Sequence, residues 1–447
     1  MRIPAAEGKR KAVHVGSGLF ALFLPFLSWP AAAAAAAAAF LFNLLVLPRL
    51  GGAALHREGE AGRRHSTGIV LYPLVVLSLV LLFREHLEIA AVGWAFLAFG
   101  DGGATLAGLT LGGPRLPWNP KKSVAGSIAF VLAGALAGVL FFGLVRRAPA
   151  SFEEALAVLL AATAGAAIES LPSEIDDNLL PPLVGAGALS VLLTTIPGWR
   201  LLGEPAWLGN AAFGAGANLL VAGAAGLLRI VRPSGVVAGF VFGATVWAFG
   251  GAPAYALLWI FFGTGTLATR FGRKRKEAMG KAEEAGGRRG AANVLANVTV
   301  ATFFVAAGAL APAAAAAFRL AATAAFATAL MDTIGTEFGQ AVRSATVLLP
   351  DFRRVAPGTD GAVSVAGTLG GLLGAILLAG AAQAMGWITP AGVAVAALAA
   401  VAGTIVESLL GRAGAPWRVS NGHVLNFVNT LAGAGTALLV GRPGGAR

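Results

Sequence analysis

Long apolar stretches follow one another along the whole chain and are separated by short polar loops. Because roughly 20 helical residues span the hydrocarbon core of a bilayer, each stretch is predicted to be a transmembrane helix whose backbone groups bond within the helix. About fifteen such helices are predicted, over residues 13–29, 31–48, 67–83, 86–111, 123–145, 154–170, 179–196, 205–230, 234–250, 252–269, 291–311, 314–338, 362–384, 388–410 and 423–441. The predicted fold class is therefore all-α, that of a polytopic integral membrane protein.

Polar motifs interrupt this apolar background twice, in the same order. The first set lies at 60–64, 100–105, 123–127, 169–171 and 176–178. The second lies at 284–289, 332–337, 364–368 and 407–409, followed by the asparagines Asn421, Asn426 and Asn429. The shared order predicts two parallel repeats of about seven helices. Since seven is odd, a linker helix is expected to restore the orientation of the second repeat, and the predicted divisions are 1–200, 201–232 and 233–447.

Composition excludes an ordinary soluble protein. Hydrophobic residues make up 57% of the chain and charged residues 12%, whereas soluble proteins carry about 25% charge. The net charge of +12 comes from lysines and arginines in short loops, most of which the helix count places on one side. This positive-inside pattern predicts a cytoplasmic N-terminus, in a bacterial inner membrane, and no nucleic-acid partner. Cysteine is absent, which excludes thiolate chemistry.

Acidic residues in the first copy predict a metal site. Asp101 interrupts the fourth predicted helix, and an ionisable residue at membrane depth is expected to be functional. Asp101 and Glu169, with Asp176 or Asp177, are expected to bind Mg²⁺, which takes one or two carboxylates together with substrate phosphates. Either Asp101 or Asp177 is expected to orient the acceptor hydroxyl or take its proton, and the residues do not decide between them. His14, a lone histidine near the interface, is expected to be structural.

The loop before residue 123 predicts a phosphate site. It carries Arg115, Asn119, Lys121 and Lys122 directly before a helix expected to begin at Ser123. Free N–H groups at the start of a helix attract anions together with the helix dipole, and the nearby cations add to this attraction. Phosphoryl transfer depends mainly on positioning and charge neutralisation, which these residues can supply.

The second copy carries a different polar set. Asp332, Glu337 and Glu407 are expected to bind the metal, and Asp332 and Glu337 to act in catalysis. Because Asp332 and Glu337 are five residues apart, a helix break near Gly335 is expected to bring them together. The predicted phosphate-binding residues are Arg288, Arg289, Asn293, Asn297, Ser364, Asn426 and Asn429.

The motifs of the first copy resemble a known family. The strings GDGGATLAG, RLPWNPKKSVAGS and ESLPSEIDDN, which begin at Gly100, Arg115 and Glu169, are similar to those of the phytol kinase and dolichol kinase family. The segment from Arg10 to Gly16 shares the resemblance, which covers roughly residues 9–195. It implies a membrane enzyme that transfers phosphate from CTP to an isoprenoid alcohol.

The second half resembles the phytyl-phosphate kinase family over about residues 233–441. The strings that carry the resemblance are GGRRGAANVLANV, ALMDTIGTEFG, VAPGTDGAVSVAGT, GTIVESLLG and NFVNT. Unlike the first copy, this half has no paired lysines before Ser364 and no Asp-Asp-Asn run after Glu407. The resemblance implies that a second phosphate is added to a prenyl monophosphate, an anionic acceptor for which basic residues are expected.

These expectations combine into a bifunctional membrane isoprenoid kinase. With CTP and Mg²⁺, it is expected to convert a prenol such as phytol or geranylgeraniol to the monophosphate and then to the diphosphate, meeting both acceptors in the lipid bilayer. Two alternatives stay open. A CTP-dependent phosphatidate cytidylyltransferase would form a CMP-linked lipid instead of releasing CDP. A membrane transporter built from repeats would use Asp101 and Asp332 as coupling-ion sites and move solute without nucleotide.

Overall fold

The computed structural model describes residues 5–50, 67–116, 118–172, 176–228, 230–272, 289–342, 344–412, 415 and 419–441, with the backbone alone at 5–9. The chain forms two compact units, Met1–Ile196 and Pro197–Arg447. Helices dominate both units, which confirms the predicted all-α integral membrane protein. The predicted linker at 201–232 lies in the second unit.

The first unit contains eight α-helices among its described residues. They are α1 (Ala5–Gly18), α2 (Trp29–Leu41), α3 (Thr67–Leu82), α4 (Leu87–Ala95), α5 (Asp101–Thr110), α6 (Val124–Arg146), α7 (Phe152–Glu169) and α8 (Leu180–Thr195). Between α4 and α5, a π-helical turn at Phe96–Gly100 widens the helix directly before Asp101. Such turns occur often at functional sites, and this one shifts Asp101 out of the regular register of α4.

The second unit contains seven α-helices among its described residues. They are α9 (Pro205–Leu227), α10 (Pro233–Arg270), α11 (Ala291–Leu310), α12 (Ala315–Ala341), α13 (Val365–Ala384), α14 (Pro390–Leu410) and α15 (Gly422–Val440). Helix α10 is divided at Gly251, whose φ of 59° and ψ of −158° break the helical geometry. The sequence predicted two helices here, 234–250 and 252–269, and Gly251 marks the boundary between them.

Eleven helical segments of the described chain are long and apolar enough to cross a bilayer, so the predicted number of about fifteen is not confirmed. The two predicted helices within α10 count as one segment, and α3 has only 16 residues. Helix α7 carries acidic residues at both ends. The predicted span at 13–29 is shared between α1 and a 3₁₀ helix that contains Pro25.

In each unit, the segment that carries the aspartate singled out in the sequence is the most enclosed. In Leu87–Thr110 and Pro312–Ala341, 72% of the residues in an apolar stretch of 18 are buried, against 56% or less in the other segments that are long enough to cross a bilayer. Asp101 and Asp332 therefore lie on helices surrounded mostly by protein. This placement is the one expected of functional ionisable residues at membrane depth.

A short β-sheet, which the sequence did not predict, precedes a serine-capped helix in each unit. In the first unit, β1 (Arg115–Leu116) pairs antiparallel with β2 (Asn119–Ser123). In the second, β3 (Thr346–Leu348) pairs with β4 (Arg353–Arg354) and β5 (Ala362–Ser364), in the order β4-β3-β5. The two capping serines have nearly equal backbone angles, φ −122° and ψ 152° at Ser123, and φ −123° and ψ 148° at Ser364. The duplication itself stays a prediction, which this agreement supports.

Candidate functional site

Asp101 forms a buried ion pair in the first unit. Its Oδ2 accepts a hydrogen bond from Lys11 Nζ at 2.6 Å and lies 3.2 Å from His14 Nε2. The side chains of Lys11 and Asp101 are 5% and 11% exposed. Buried charges are tolerated when they are paired and hydrogen-bonded, so Lys11 allows Asp101 to be ionised at this depth.

His14, expected to be structural, lies instead beside Asp101 in a fixed orientation. Its Nε2 is also 2.8 Å from Leu97 O, and because a carbonyl oxygen only accepts, Nε2 carries the proton. Tyr72 Oη donates to the backbone carbonyl of His14 at 3.2 Å. Sequence reasoning did not single out Lys11, and for His14 it favoured a structural role over phosphate binding or proton transfer. Their spacing of three residues, which places them on one helix face, was the available signal.

Lys122 joins two of the predicted acidic residues. Its Nζ donates to Glu169 Oε1 and, at 2.8 Å, to Asp177 Oδ2. Burial by itself would lower the pKa of Lys122, but the charges of Asp177 and Glu169 outweigh burial, so the pKa is raised above its ordinary value. The ammonium group therefore stays charged at neutral pH. It ties the end of β2 to the C-terminal end of α7 and to the segment that follows.

Asn119 secures the β1–β2 hairpin to the end of α7. Its Nδ2 donates to Ser170 O at 3.1 Å, and its Oδ1 accepts from Lys121 N at 3.2 Å. Trp118 Nε1 donates to Ser170 Oγ at 3.2 Å. Since Asn119 is 5% exposed and its amide is used in this way, it is not placed for the predicted phosphate contact. Arg115 and Lys121 are exposed and remain the cations of this loop.

Ser123 is the N-cap of α6. Its Oγ accepts from Gly126 N at 3.1 Å, and Val124 N donates to Pro114 O at 3.0 Å. Two N–H groups of the first turn thus have partners within the protein. The start of α6 is therefore a poorer anion site than the sequence predicts, and the serine acts through helix capping.

The ion pairs of the first unit lie close to one another. The charge of Lys122 acts on Asp101, and the charge of Asp101 acts on Glu169. The group is called the first-unit cluster and consists of Lys11, His14, Asp101, Lys122, Glu169 and Asp177. Asp176 serves a turn, because its Oδ1 accepts from Asn178 N at 3.0 Å. The cluster sets three carboxylates against two ammonium groups and an imidazole.

In the second unit, carboxyl groups from two helices face each other. Asp332 on α12 and Glu407 on α14 lie within hydrogen-bonding reach. Asn429 Nδ2 on α15 donates to Glu407 Oε2 at 2.5 Å, and Thr336 Oγ1 lies 3.4 Å from Asp332 Oδ1. Asn429 is fully buried, and its Oδ1 has no hydrogen-bond partner, which is unusual for a buried amide. The sequence predicted Asp332, Glu407 and Asn429, and the structure brings them together.

A chain of asparagines lies between α15 and α11. Asn426 Nδ2 donates to Asn297 Oδ1 at 3.3 Å, and Asn297 Nδ2 donates to Asn293 O at 2.9 Å. Asn297 is 2% exposed, and its amide forms hydrogen bonds within this network rather than facing a ligand. Side-chain amides commonly join helices within membranes in this manner.

Two further charges act on Asp332. The Arg289 guanidinium carbon lies 5.6 Å from the ring centre of Phe261, and its charge attracts the Asp332 carboxylate. Glu337 is 7% exposed and repels that carboxylate. We call Arg289, Asn297, Asp332, Glu337, Glu407, Asn426 and Asn429 the second-unit cluster. Arg288, also predicted to bind phosphate, lies outside the described residues, as do the basic motif at 60–64 and residues 284–287.

The expected helix break near Gly335 is wrong. Helix α12 continues from Ala315 to Ala341. The charge of Glu337 acts on Asp332 although the helix between them is unbroken. The glycine serves the close approach of α13, since a Cβ at Gly335 would lie 3.4 Å from Gly367 O.

Ser364 is the N-cap of α13. Its Oγ accepts from Gly367 N at 3.1 Å. The N–H groups of Val365 and Ala366 donate to the segment 344–345. All three N–H groups of this first turn have partners, so the phosphate contact predicted for Ser364 is not supported by its surroundings.

The two clusters differ in how well they fit the predicted Mg²⁺. Among the residues that the structure describes, no three acidic or histidine side chains converge as a metal-binding group. In the first unit, Lys11 and Lys122 already pair with the carboxylates, so a metal ion would have to share them. In the second unit, the facing carboxyl groups and the unpartnered Asn429 Oδ1 supply the oxygen ligands that Mg²⁺ prefers. The second-unit cluster therefore fits the ion better, and both metal sites stay predictions.

Known proteins are similar to parts of the chain. The family model of integral membrane protein DUF92 matches residues 216–432. Protein VTE6, chloroplastic, from Arabidopsis thaliana is 33% identical over 250 residues, which cover 53% of this chain and 72% of VTE6. The chain belongs to the VTE6 family of integral membrane proteins.

Kinases are also similar to this member of the VTE6 family. Probable phytol kinase 2, chloroplastic, from Glycine max is 34% identical over 185 residues, or 39% of this chain and 61% of the kinase. Farnesol kinase, chloroplastic, from Arabidopsis thaliana is 31% identical over 199 residues, or 40% of this chain and 62% of the kinase. No solved structure matches the chain. The family and the apolar helices establish a multi-pass membrane protein, while the bacterial inner membrane and the cytoplasmic N-terminus stay predictions.

Proposed function

We propose that this chain is a membrane-embedded isoprenoid kinase with one site in each unit. The first unit would transfer the γ-phosphoryl group of CTP to a prenol, and the second would transfer another to the resulting monophosphate. The resemblance to a probable phytol kinase and a farnesol kinase supports a prenol as the acceptor. The resemblance of the motifs beginning at Gly100, Arg115 and Glu169 to the phytol kinase and dolichol kinase family implies CTP as the donor.

The observation that carries the proposal is the position of the two aspartates. In each unit, the most enclosed segment brings a carboxylate, Asp101 or Asp332, into a polar cluster. Charged groups at membrane depth are costly, and where they occur they mark sites that handle ions or polar substrates. A polyphosphate and the polar end of a lipid are the ligands that such clusters suit.

In the first unit, the prenol oxygen would attack the γ-phosphorus of CTP while the bond to the β-phosphate oxygen breaks and CDP leaves. The hydroxyl proton would pass to Asp101 or Asp177. The Asp177 side chain is 38% exposed, against 11% for Asp101, so Asp177 is the more accessible of the two. Lys122 would neutralise the donor phosphates with its charged ammonium group. Asp101 and Glu169 would hold Mg²⁺, which would supply neutralisation of the negative charge on the phosphates.

In the second unit, the acceptor is already an anion. An oxygen of the prenyl monophosphate would attack the γ-phosphorus of a second CTP, again releasing CDP, and a proton released from the acceptor would pass to Asp332 or Glu337. Arg289 would hold the acceptor phosphate, because a guanidinium group presents two parallel donors to phosphate oxygens. This demand explains why the second-unit cluster uses arginine and amides where the first uses lysines.

The test is a product assay on the full chain in lipid nanodiscs with phytol, Mg²⁺ and γ-labelled CTP. Asp101→Asn is expected to abolish the monophosphate while supplied phytyl monophosphate is still converted. Asp332→Asn is expected to do the reverse. Glu154→Gln is the matched control, because Glu154 pairs with Arg146 at the opposite end of α7 from Glu169, and it should retain both steps.

Three results would contradict the proposal. Equal loss of both steps in either aspartate variant would refute two separate sites. A CMP-linked lipid in place of CDP release would identify a cytidylyltransferase. Solute flux in sealed vesicles without nucleotide, together with no phosphorylated product, would identify a transporter.

A further inference from the structure

An apolar cavity lies between α9, α10 and α11 of the second unit. Its open space amounts to about 780 Å³ when the region at its mouth is included. Helix α9 contributes Val221 and Ala222, and α10 contributes Phe242, Leu258 and Trp259. These walls suit a hydrocarbon chain.

The wall formed by the second half of α10 is aromatic and packed. Tyr255 and Trp259 meet edge to face with ring centres 6.2 Å apart, and Trp259 and Phe262 do so at 5.8 Å. Rings packed in this geometry hold one another in place. The cavity wall is therefore preformed.

One end of the cavity is cationic. Arg289 and Asn293 both line it. A Cβ on Gly265 would lie 2.9 Å from Arg289 Nη2, and a Cβ on Gly235 would overlap Arg289 O. Since Gly235 and Gly265 lie on opposite sides of the kink at Gly251, the two halves of α10 fold back on each other. Arg289 lies where their far ends meet.

A hydrogen-bonded pair marks a second point along the cavity. Asn218 Oδ1 accepts from Tyr255 Oη at 3.1 Å, and Asn218 is 3% exposed. A Cβ on Gly243 would overlap Asn218 Oδ1, so this glycine lets α9 approach α10 closely. Gly243 and Gly235 are separated by about 12 Å along α10, at a rise of about 1.5 Å per residue. Arg289 and the Asn218–Tyr255 pair thus lie at different depths.

Arg289 connects the cavity to the second-unit cluster. Arg289 lines the cavity, and the charge of its guanidinium attracts the Asp332 carboxylate. Thr333 Cγ2 and Arg289 Nη1 would both lie 3.5 Å from a Cβ on Gly265, which places the guanidinium beside the helix turn that carries Asp332. A ligand held by Arg289 would therefore have its charged end at the proposed reaction centre.

We propose that this cavity holds the isoprenyl chain of the monophosphate acceptor, with the phosphate at Arg289 and the hydrocarbon extending toward Asn218 and Tyr255. The inference rests on the proposed function and deepens it by assigning the acceptor to a defined part of the second unit. Three observations support it. The cavity carries a cation at one end, its walls beyond that end are apolar, and the cationic end lies beside Asp332. Helix α9, which the sequence assigned to a linker, becomes one wall of the substrate site.

Two glycines of α10 provide a matched test. Gly239 lines the cavity, and a Cβ there would meet nothing within 4 Å, so Gly239→Leu would start in open space and occupy part of the cavity. Gly263 also has nothing within 4 Å of a Cβ but does not line the cavity. Leucine favours helix relative to glycine, so both variants are expected to fold.

The measurement is the Kd of geranylgeranyl monophosphate for the full chain in phosphatidylcholine nanodiscs, without nucleotide. Gly239→Leu is expected to raise this Kd at least tenfold, and Gly263→Leu to change it less than twofold. Arg289→Gln is expected to weaken binding of the monophosphate while leaving binding of geranylgeraniol unchanged. Native mass spectrometry of the same samples would report the bound lipid directly.

An unchanged Kd in Gly239→Leu would overturn the assignment. So would equal competition by phosphatidic acid, which shares the phosphate and would identify a general lipid site. Because binding is read without nucleotide, the two proposals can fail separately. Lost binding in Gly239→Leu without any kinase activity in the native chain would refute only the proposed function, whereas kinase activity that Gly239→Leu leaves intact would refute only the cavity assignment.

Discussion

Lys11→Met is the most direct test of the buried pair at the centre of the first-unit cluster. The substitution removes the ammonium group 2.6 Å from Asp101 Oδ2 while keeping a long apolar side chain. Lys11 and Asp101 are 4% and 8% exposed. Removing one partner of such a buried pair typically costs roughly 3–5 kcal/mol, because the other charge is left uncompensated.

The contacts of Asp101 narrow the expected free-energy cost of Lys11→Met. His14 Nε2 remains 3.2 Å from the same carboxylate oxygen, so Asp101 keeps one polar partner in the variant. The lower part of the range, about 3 kcal/mol, is therefore expected for Lys11→Met. In the double variant with Asp101→Asn, both charges are absent, and the total cost should fall short of the sum of the single costs by about 2 kcal/mol.

The assay is reversible unfolding of the purified chain in mixed micelles of dodecyl maltoside and increasing dodecyl sulfate. Lys121→Met serves as the control, since Lys121 is exposed and surface substitutions usually change stability by less than about 0.5 kcal/mol. Lys11→Met should also impair phosphorylation of the prenol and spare that of the monophosphate. A cost below about 1 kcal/mol, or single costs that simply add, would show that Lys11 is not the partner of Asp101.

Three further outcomes are expected. Because the pKa of Lys122 is raised in the folded chain, its ion pairs stabilise the fold below about pH 10.5 and are lost as the pH rises through the folded pKa. The difference in unfolding free energy between the native chain and Lys122→Met should therefore stay constant from neutral pH up to about pH 10 and shrink above it. Gly367→Ala should destabilise the chain by about 1–3 kcal/mol, because its Cβ would overlap Gly335 O, whereas Gly380→Ala in the same helix has open space and should stabilise slightly; equal thermal unfolding of the two variants would argue against the close packing. Asn429→Ala removes the hydrogen bond to Glu407, worth about 0.5–1.5 kcal/mol, and should slow the second phosphorylation by up to about tenfold without affecting the first, as rates with each acceptor would show.

Much of the helical architecture follows from hydropathy alone, because a backbone in lipid has few alternatives to the helix. The kink at Gly251 was anticipated as a boundary between two predicted helices. The short sheets were not, since β1 has only two residues, Arg115–Leu116, and is held by pairing with β2. Two-residue strands carry no periodicity that a sequence pattern can reveal.

The candidate site was only partly predictable. Asp332 was anticipated as an ionisable residue at membrane depth, and Glu407 and Asn429 as members of the polar motifs of the second copy. The pairing of Asp101 with Lys11 was not, because it joins residues 90 positions apart and depends on how α1 packs against the helix that contains Asp101. The role of the capping serines was also predicted wrongly, because it depends on contacts with residues of other segments. Ser123 looks like the start of an anion site until the partners of the neighbouring N–H groups are known.

The two clusters balance their acidic groups in ways that match the charge of the proposed acceptors. In the first unit, lysines lie against Asp101, Glu169 and Asp177, so the cluster is nearly neutral before any substrate arrives. A neutral alcohol would add no charge to this balance, and a lysine that contacts the donor phosphates would still be shared with its carboxylate partners. In the second unit, Asp332 and Glu407 face each other, and an anionic acceptor would add further negative charge. Under the proposed function, that site would need a cation from outside the chain as well as Arg289, and this difference in acceptor charge would favour two sites over one site used twice.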